Sequence, residues 1–389
     1  MDRRLNPYTP GAGLPPPELA GRDEAIAAFV TTLARVGNAT PDRSSVLFGL
    51  RGVGKTVLLA HLQAEAESLG WATGWAEVEA SKGLSRHVAE ALRRSVRVLA
   101  RRHRRAAAFR QLAAVVKAFA LAVDPQGTVR FMVDIEAARG VADTGDLDED
   151  LPELFNEASG AVIGLGLPGI VLFLDEIQEA SIRDLSALSL ACHAMGRTAG
   201  RVLVALAGLP YVPSQLAAAK SYAERLYHYV PVDRLSSEAA RRAVTAPAER
   251  LGVRFDEGAV KALMELSDGY PYFLQAFGQA SWNQAEVSPI TTADVVAGQE
   301  FAQEELDAGF FGPRLERATP RQRDYLQAMA GMGDRVAAAA VAERLHAPPA
   351  TLSPLRDALI KKGLIYSPER GALAFTVPHF GTYLRDRLR

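Results

Sequence analysis

The sequence has 389 residues, of which 48% are hydrophobic and 23% are charged, and its formal net charge is −1 at pH 7. This length exceeds what one hydrophobic core usually serves, so we expect a globular protein of two or three domains. The near-zero net charge excludes a global attraction to nucleic acid, and any such binding must come from local patches.

The sequence also excludes several classes of protein. A single cysteine, Cys192, rules out an internal disulfide framework. The N-terminal stretch has no apolar run typical of a signal peptide, and no stretch of about 18 apolar residues predicts a membrane span. We therefore expect a cytoplasmic protein with no membrane partner.

The first predicted strand leads directly into a glycine-rich loop. The strand "SSVLF" covers residues 44–48, the loop reads "GLRGVGKT" at 49–56, and a helix with apolar residues at helical spacing follows and ends at Gly70. Strand, loop and helix in this order are the context that a phosphate-binding loop requires. The sequence therefore predicts a nucleoside triphosphate site here.

The residue types in this loop suit phosphate binding. Its glycines let the backbone turn and direct N–H groups at phosphate, and the start of the following helix adds a partial positive charge. We expect Lys55 to contact the β and γ phosphates and the Thr56 hydroxyl to ligate Mg²⁺. The predicted nucleotide contacts are Gly49, Arg51, Gly52, Val53, Gly54, Lys55, Thr56 and Val57.

A strongly basic helical insertion is predicted at about residues 82–122, after a strand at 71–80. Apolar residues follow one helical face, and the other faces carry arginines. From Lys82 to Lys117 there are eleven basic residues and one acid, Glu90. Unbalanced charge of this kind suits a nucleic acid, an acidic protein or intramolecular partner, or a solvated face, and these alternatives stay open. The arginines are Arg93, Arg94, Arg97, Arg101, Arg104 and Arg105.

One candidate intramolecular partner is the acidic stretch "DTGDLDEDLPE" at residues 143–153. We expect this stretch to be a solvated connector rather than a metal site.

A second motif completes the predicted nucleotide site. The continuous apolar run Ile170–Leu174 predicts a central strand of a parallel sheet, and two acids follow it. We expect Asp175 to hold Mg²⁺ through water and Glu176 to polarise the attacking water, although an acidic helix cap would give the same pattern. Further strands at 201–210 and 226–232 alternate with helical segments. This alternation predicts a doubly wound parallel α/β sheet with the nucleotide at its carboxyl edge.

Two smaller modules follow the sheet. Residues 234–312 show four helical patterns, which predict an all-helical lid. We expect the aromatic side chains of this lid to pack in its core rather than to stack on bases. Residues 313–389 read as helix, helix, turn, helix and hairpin, which is the order of a winged helix, with Ser353 as cap and Pro354 at the first position of the third helix. The aromatics are Tyr270, Tyr272, Phe273, Phe277 and Trp282.

The C-terminal module is basic although the whole chain is not. From Arg314 to Arg389 there are 13 Lys and Arg residues against 7 Asp and Glu. We expect Arg356, Lys361 and Lys362 on the third helix, and Arg370 at the hairpin tip, to contact DNA. The alternative is a module that contacts protein and has a solvated charged face.

The ordered motifs "ELAGRDEAI", "GLRGVGKT", "VLFLDEIQ", "ALAGLP" and "AKSYAERLYHYVPV" resemble those of AAA+ ATPases. The similarity is to the prokaryotic branch akin to archaeal ATPases and origin-recognition-type initiators, which carry a C-terminal winged helix. This resemblance implies an ATPase using ATP and Mg²⁺, with residues 1–233 as the nucleotide-binding domain. It also implies that Leu19, Gly21 and Arg22 lie beside adenine, unless they form an ordinary turn.

In such ATPases a neighbouring subunit supplies an arginine, and Arg225 occupies the matching place. The resemblance therefore implies a homo-oligomer, whereas an exposed helical arginine is the alternative reading of Arg225. An arginine finger is worth about 10³ to 10⁵ in rate.

Two departures from the family pattern point to slow hydrolysis. The strand "VLVALAGLP" ends without the polar residue that orients the attacking water, and Pro271 stands where many relatives have an arginine. We expect turnover below the typical enzyme median of about 10 per second. The resulting prediction is an ATP-gated switch on DNA of initiator or loader type. The alternatives are a signalling ATPase whose C-terminal module binds protein, and an ATP-responsive transcriptional regulator.

Overall fold

The structure, a computed structural model, describes residues 1–11, 13–124 and 135–387. The chain divides into two units. The sheet unit consists of Arg22–Gly49 and Lys55–Pro231, and the helical unit consists of Met1–Gly21, Leu50–Gly54 and Val232–Arg389. The N-terminal segment and the middle of the glycine-rich loop thus belong with the helices.

Five parallel strands form the core of the sheet unit, in the order β2-β3-β4-β1-β5. The two central strands β3 and β4 are buried along their whole length, as expected for a parallel sheet covered on both faces. The predicted parallel α/β sheet is confirmed. The strands are β1 (Ser44–Phe48), β2 (Ala72–Glu77), β3 (Ile170–Asp175), β4 (Val202–Gly208) and β5 (Tyr227–Pro231).

Helices connect these strands and bury their apolar faces against the sheet. The buried core joins strand residues such as Leu172 and Leu206 to helix residues such as Leu92, Phe155 and Leu188. The helices of this unit are α1 (Asp23–Gly37), α2 (Lys55–Ser68), α3 (Leu84–His103), α4 (Ala107–Val123), α5 (Leu147–Gly164), α6 (Ile182–Thr198), α7 (Val212–Ala219) and α8 (Ala223–Leu226).

The basic insertion consists of the helix pair α3 and α4. The predicted apolar face of α3 is buried, and the Ser95 hydroxyl donates to the Thr73 carbonyl of β2 at 2.5 Å. Helix and strand approach closely at Gly74, where a Cβ atom would lie 2.4 Å from the Ala91 carbonyl oxygen. Tight packing therefore fixes the direction in which α3 presents its arginines.

The acidic stretch at 143–153 corrects one prediction. We expected a solvated connector, but α5 begins inside it, with Asp146 as cap accepting from the Asp148 N–H. Asp150 is only 1% exposed and accepts from the Thr144 hydroxyl at 2.8 Å and the Gly145 N–H at 2.9 Å. The acids bind backbone N–H groups at the start of a helix, which composition alone does not reveal.

Four consecutive helices open the main part of the helical unit, as predicted for the lid. Ser236, Asp256 and Thr291 cap three of these helices, and Gly252 and Gly269 follow helix ends with positive φ. The helices are α9 (Ser237–Glu249), α10 (Glu257–Ser267), α11 (Pro271–Gln284) and α12 (Thr292–Leu306).

The helical run does not stop at the end of α12. A π-helical turn at Asp307–Phe311 continues directly into α13 (Gly312–Glu316). The predicted boundary after residue 312 therefore falls inside a continuous helical run.

Aromatic side chains and the N-terminal segment fill the core of the lid. Of the five predicted core aromatics, Tyr272 is half-buried and the other four are buried. Tyr8 is also buried, and its hydroxyl donates to the Val244 carbonyl, while the Trp282 indole N–H donates to the Asp2 carbonyl at 3.1 Å. The prediction that these aromatics lie in the core of the lid is confirmed for the four that are buried.

Residues 320–387 combine four helices with a three-stranded antiparallel sheet in the order β6-β8-β7. The third predicted helix starts earlier than expected, since α16 begins at Pro349 and Pro354 lies inside it. Pro349 already supplies the fixed φ that suits a first helical position, so the later proline does not mark the start. The elements are α14 (Pro320–Ala330), β6 (Arg335–Ala337), α15 (Ala338–Arg344), α16 (Pro349–Lys361), β7 (Ile365–Tyr366), β8 (Ala372–Phe375) and α17 (Phe380–Arg387).

Across the described ranges, every helix is too short or too polar to cross a membrane.

Candidate nucleotide site

The glycine-rich loop joins β1 to α2 and adopts a backbone that glycine makes accessible. Gly52 and Gly54 have φ values of +84° and +91°, in the left-handed region that disfavours other residues. Helix α2 then begins at Lys55, so its first N–H groups follow the loop. This local geometry fits a phosphate-binding loop.

Lys55 lies at the edge of the sheet where β1 ends. Its ammonium donates to the Gly49 carbonyl at 3.0 Å, and the residue is 8% exposed. The lysine is thus held over the first turn of the loop. A compact cation in this position suits a phosphate oxygen.

Thr56 and Asp175 come together as the sequence predicts. The Thr56 hydroxyl donates to Asp175 Oδ2 at 2.6 Å, and the Glu176 N–H donates to Asp175 Oδ1 at 2.8 Å. Because β1 and β3 are parallel and lie on either side of β4, their carboxyl ends meet at one edge. A hydroxyl and a carboxylate at this spacing form an oxygen donor set of the kind that Mg²⁺ prefers.

The electrostatics of Asp175 also suit a cation. The residue is 4% exposed, and burial raises the pKa of its carboxyl, against the opposing effect of the Thr56 and Glu176 hydrogen bonds and the Lys55 charge. A bound divalent cation would compensate the buried charge. The residues present therefore fit the metal site that the sequence predicts.

Glu176 follows Asp175 with a left-handed backbone, at φ 52° and ψ 38°. Its carboxylate accepts a hydrogen bond from the Gln178 side-chain amide, and Gln178 Oε1 accepts from the Leu209 N–H at 3.1 Å. Sequence reasoning identified Glu176 and missed Gln178. The only signal was its place two residues later in "DEIQ".

In the helical unit, the loop residues Leu50–Gly54 contact the C-terminal part of the chain. The Arg51 N–H donates to the Thr376 carbonyl at 3.1 Å, and the Tyr272 N–H donates to the Gly52 carbonyl at 3.4 Å. A Cβ atom on Gly363 would lie 3.2 Å from the Arg51 guanidinium. The sequence offered no signal for these contacts, because they join segments more than 200 positions apart.

A chain of aromatic contacts leads from the loop to Arg314. Tyr272 stacks on Phe310 with ring centroids 4.7 Å apart, and the Arg314 guanidinium lies 3.9 Å from the centre of the Phe310 ring. Burial lowers the pKa of Arg314 to about 10, and the nearby charge of Arg51 acts in the same direction. Two cations thus lie near the loop, and Arg314 forms no ion pair with any described residue.

Comparison with known proteins agrees with the fold. Residues 18–205 match the family model described as AAA ATPase domain, and residues 308–384 match one described as Domain of unknown function (DUF8462). The Walker-type ATPase of Pyrococcus abyssi superposes with a TM-score of 0.60 at 17% identity, over 94% of this chain and 96% of that chain. The chain has the P-loop AAA+ fold.

Two further solved structures align with lower scores. Aeropyrum pernix ORC1, solved in complex with DNA, aligns at 17% identity over 99% of this chain and 96% of that chain, with a TM-score of 0.45. The Thermotoga maritima RuvB Holliday junction branch migration motor aligns at 15% identity over 96% and 99%, also with a TM-score of 0.45. No curated protein sequence matches the chain.

Arg225 lies at the other end of the AAA+ sheet from the glycine-rich loop. It precedes β5, whose first residue Tyr227 pairs with Ser44, the first residue of β1, whereas the loop follows the last residue of β1. The side chain is exposed and forms no ion pair with a described residue. This position is remote from the loop of its own chain, and both the trans role and the reading as an exposed helical arginine stay predictions.

The residues predicted to lie beside adenine stay predictions. Gly21 has a φ of +68°, and a Cβ atom there would lie 2.8 Å from the Ala239 side chain of α9. Leu19 is half-buried, and Arg22 precedes α1 without a side-chain cap. The adjacent Glu18 pairs with Arg242 at 3.0 Å.

The exposed face of α3 carries unpaired positive charge. Six arginines in the second half of this helix and just after it are exposed, and none forms an ion pair within the described ranges. Val98, among them, is 59% exposed. The alternative of pairing with the acidic stretch at 143–153 is therefore not observed for these six. They are Arg94, Arg97, Arg101, Arg102, Arg104 and Arg105, and we call them the arginine patch.

The four basic residues predicted to contact DNA in the C-terminal part differ in whether they have partners within the chain. Arg356 pairs with Asp357 at 3.0 Å, and the Lys362 ammonium donates to the Arg317 carbonyl at 2.7 Å and to Gln322 Oε1 at 2.6 Å. Lys361 and Arg370 are exposed. Two of the four cations are thus already engaged within the chain.

Proposed function

We propose that the protein is an Mg²⁺-dependent ATPase whose nucleotide state controls its binding to DNA, in the manner of an initiator or loader. The observation that carries the ATPase part is the hydrogen bond between Thr56 and Asp175, with Glu176 directly after. These are the groups that place a metal ion and a water molecule at a triphosphate.

Each side chain has one role in the proposed hydrolysis. Lys55 binds the β and γ phosphates, and Thr56 and Asp175 would hold Mg²⁺, which when bound would neutralise charge on the phosphate oxygens. Glu176 accepts a proton from the attacking water. The residues Gly49, Gly52 and Gly54 let the loop follow the phosphates, and Leu19, Gly21 and Arg22 receive the adenine.

Slow turnover is part of the proposal. The end of β4 consists of Ala207 and Gly208, followed by Leu209, so no polar side chain of that strand reaches the attacking water. Completing the site through Arg225 requires a second copy of the chain, so the turnover rate depends on a homo-oligomer.

The coupling to the C-terminal part is supported by contacts within the helical unit. Arg51 and Gly52 belong to the loop that receives phosphate, yet their backbone groups bond to Thr376 and Tyr272. A nucleotide that uses the Arg51 N–H competes with the Thr376 carbonyl for it. Nucleotide binding thereby changes the contacts of the C-terminal part, which we propose to be a winged helix at 313–389.

The DNA part of the proposal is supported by the arginine patch. Six exposed arginines that form no ion pair with a described residue attract a polyanion, and Lys361 and Arg370 add positive charge in the C-terminal part. Phosphate contacts of this type position a protein on DNA without reading its sequence.

A second candidate function is a nucleotide-controlled signalling switch whose C-terminal part binds a protein. The internal engagement of Arg356 and Lys362 favours it, because these cations are then not available to phosphates.

The ATPase part can be tested with three variants. Lys55→Ala should lose nucleotide binding, and Glu176→Gln should bind a fluorescent ATP analogue normally while its turnover falls by about 10² or more. Lys261→Ala, an exposed lysine of the lid, is the control. Turnover at the wild-type rate in Glu176→Gln would overturn the catalytic assignment.

A further inference from the structure

Gln178 lies where the ends of β3 and β4 meet. The side chain is 7% exposed, and both ends of its amide have partners. Its Oε1 accepts from the Leu209 N–H at 3.1 Å, and its Nε2 donates to the Glu176 carboxylate. The Gln178 backbone carbonyl in turn accepts from the Gln215 side chain of α7 at 3.4 Å.

These partners fix the direction of the amide. A flipped amide would point its NH₂ group at the Leu209 N–H and its oxygen at the Glu176 carboxylate. Two donors would then face each other at Leu209, and two acceptors would face each other at Glu176. The arrangement therefore presents a donor to Glu176 in one orientation only.

The shape of β4 leaves room for this side chain. A Cβ atom on Gly208 would lie 2.8 Å from Gln178 Oε1 and 2.6 Å from Val212 Cγ2. Glycine at the end of β4 therefore allows the amide to reach the Leu209 N–H. Because Ala207, Gly208 and Leu209 have no polar side chains, Gln178 is the side-chain amide that links the end of β4 to the acid after β3.

Glu176 adopts an unusual backbone conformation directly after β3. Its φ of 52° and ψ of 38° lie in the left-handed region, which residues with a side chain rarely adopt. A hydrogen bond from a buried amide then restricts the rotamers of the carboxylate.

We propose that Gln178 is a positioning residue for ATP hydrolysis, which holds the Glu176 carboxylate against the end of β4. This inference rests on the proposed ATPase function. Gln178 does not contact the reacting atoms itself. It acts through Glu176 and supplies at this sheet edge the polar group that β4 lacks.

The test compares Gln178→Ala and Gln178→Glu with the wild type. Both variants should lower kcat by about 10- to 100-fold, as for a misplaced catalytic group, and leave the KM for ATP within about twofold. Gln178→Glu keeps the shape and the acceptor for Leu209 but places a carboxylate beside Glu176. A merely structural role predicts near-normal kcat in Gln178→Glu and a lowered melting temperature in Gln178→Ala.

A matched control is Gln111→Ala, which removes another amide–carboxylate pair, from Gln111 to Glu157 at 3.2 Å, between α4 and α5. It should leave kcat unchanged. In a Glu176→Asp background, the shorter acid should be out of reach of the Gln178 amide. Gln178→Ala should therefore lower kcat by a much smaller factor in that background than in the wild type.

The outcomes separate this inference from the proposed function. Wild-type protein that does not hydrolyse ATP would remove the ATPase proposal. Loss of turnover in Glu176→Gln together with wild-type kcat in both Gln178 variants would overturn the positioning role alone. An undiminished effect of Gln178→Ala in the Glu176→Asp background would also overturn it.

Discussion

At the nucleotide site, hydrogen bonds join side chains at the start of α2 and at and after the end of β3 to one another and to backbone groups after β1 and β4. Lys55, Thr56, Asp175 and Glu176 could be predicted because two short motifs fix their spacing along the chain. Gln178 could not, since its role depends on the Leu209 N–H, 31 positions away on the neighbouring strand. Local sequence patterns do not show which strands become neighbours.

Asp175 should make the protein without metal less stable at neutral pH. Burial raises the pKa of its carboxyl in the folded state above the usual value, so the folded state favours the protonated form. This contribution to stability is present at low pH and is lost as the pH rises through the raised pKa. Asp175→Asn, which is neutral at all pH values, should therefore melt higher than the wild type in EDTA at pH 7.

The measurement is the melting temperature against pH, with EDTA and with Mg²⁺. A stabilisation of 1 kcal/mol corresponds to roughly 2–4 °C for a unit of this size. Mg²⁺ should raise the melting temperature of the wild type and leave that of Asp175→Asn unchanged. A variant that melts lower than the wild type in EDTA would contradict this account of Asp175.

Among the elements, helices and strands with clear periodicity were predictable, and segments with two possible starts were not. The apolar face of α3 and the buried strands β3 and β4 follow directly from residue spacing. The start of α16 was predicted at the wrong proline, because both Pro349 and Pro354 suit the first position of a helix. The acidic start of α5 was misjudged because its acids bind backbone N–H groups.

The arginine patch on α3 should account for a measurable part of DNA binding. Arg97 and Arg101 are four positions apart and lie on the same exposed helical face. The double variant Arg97→Glu/Arg101→Glu should weaken binding of duplex DNA and reduce the slope of log K against log salt by about 2, since each phosphate contact contributes about 0.9. Fluorescence anisotropy at several salt concentrations measures both quantities.

Arg183→Glu on α6 changes an exposed arginine outside the patch and serves as the control. Equal affinities and slopes for the patch variant and this control would show that the patch does not bind DNA.

At the scale of the whole molecule, the chain divides into two units. The loop residues Leu50–Gly54 belong to the helical unit, while Lys55 and Asp175 belong to the sheet unit. Motifs predicted the loop but gave no indication of the bonds from Arg51 and Gly52 to the C-terminal part and the lid. Such long-range backbone contacts have no signature in a single sequence.

Oligomer formation should appear in the kinetics through Arg225. Because this arginine lies at the opposite end of the sheet from its own loop, we propose that it acts at the site of a second copy. Specific activity should therefore rise with protein concentration, and Arg225→Ala should remove that rise while ATP binding stays normal. Activity that is independent of concentration and unchanged in Arg225→Ala would exclude the trans role.

The central claim is that the nucleotide state controls DNA binding, and one titration tests it most directly. Labelled duplex DNA is titrated with the protein in ATP, in ADP and without nucleotide, and anisotropy is followed at increasing salt. We predict binding that weakens steeply with salt and is tighter with ATP than with ADP. DNA binding that is absent, or equal in all three nucleotide states, would contradict the account.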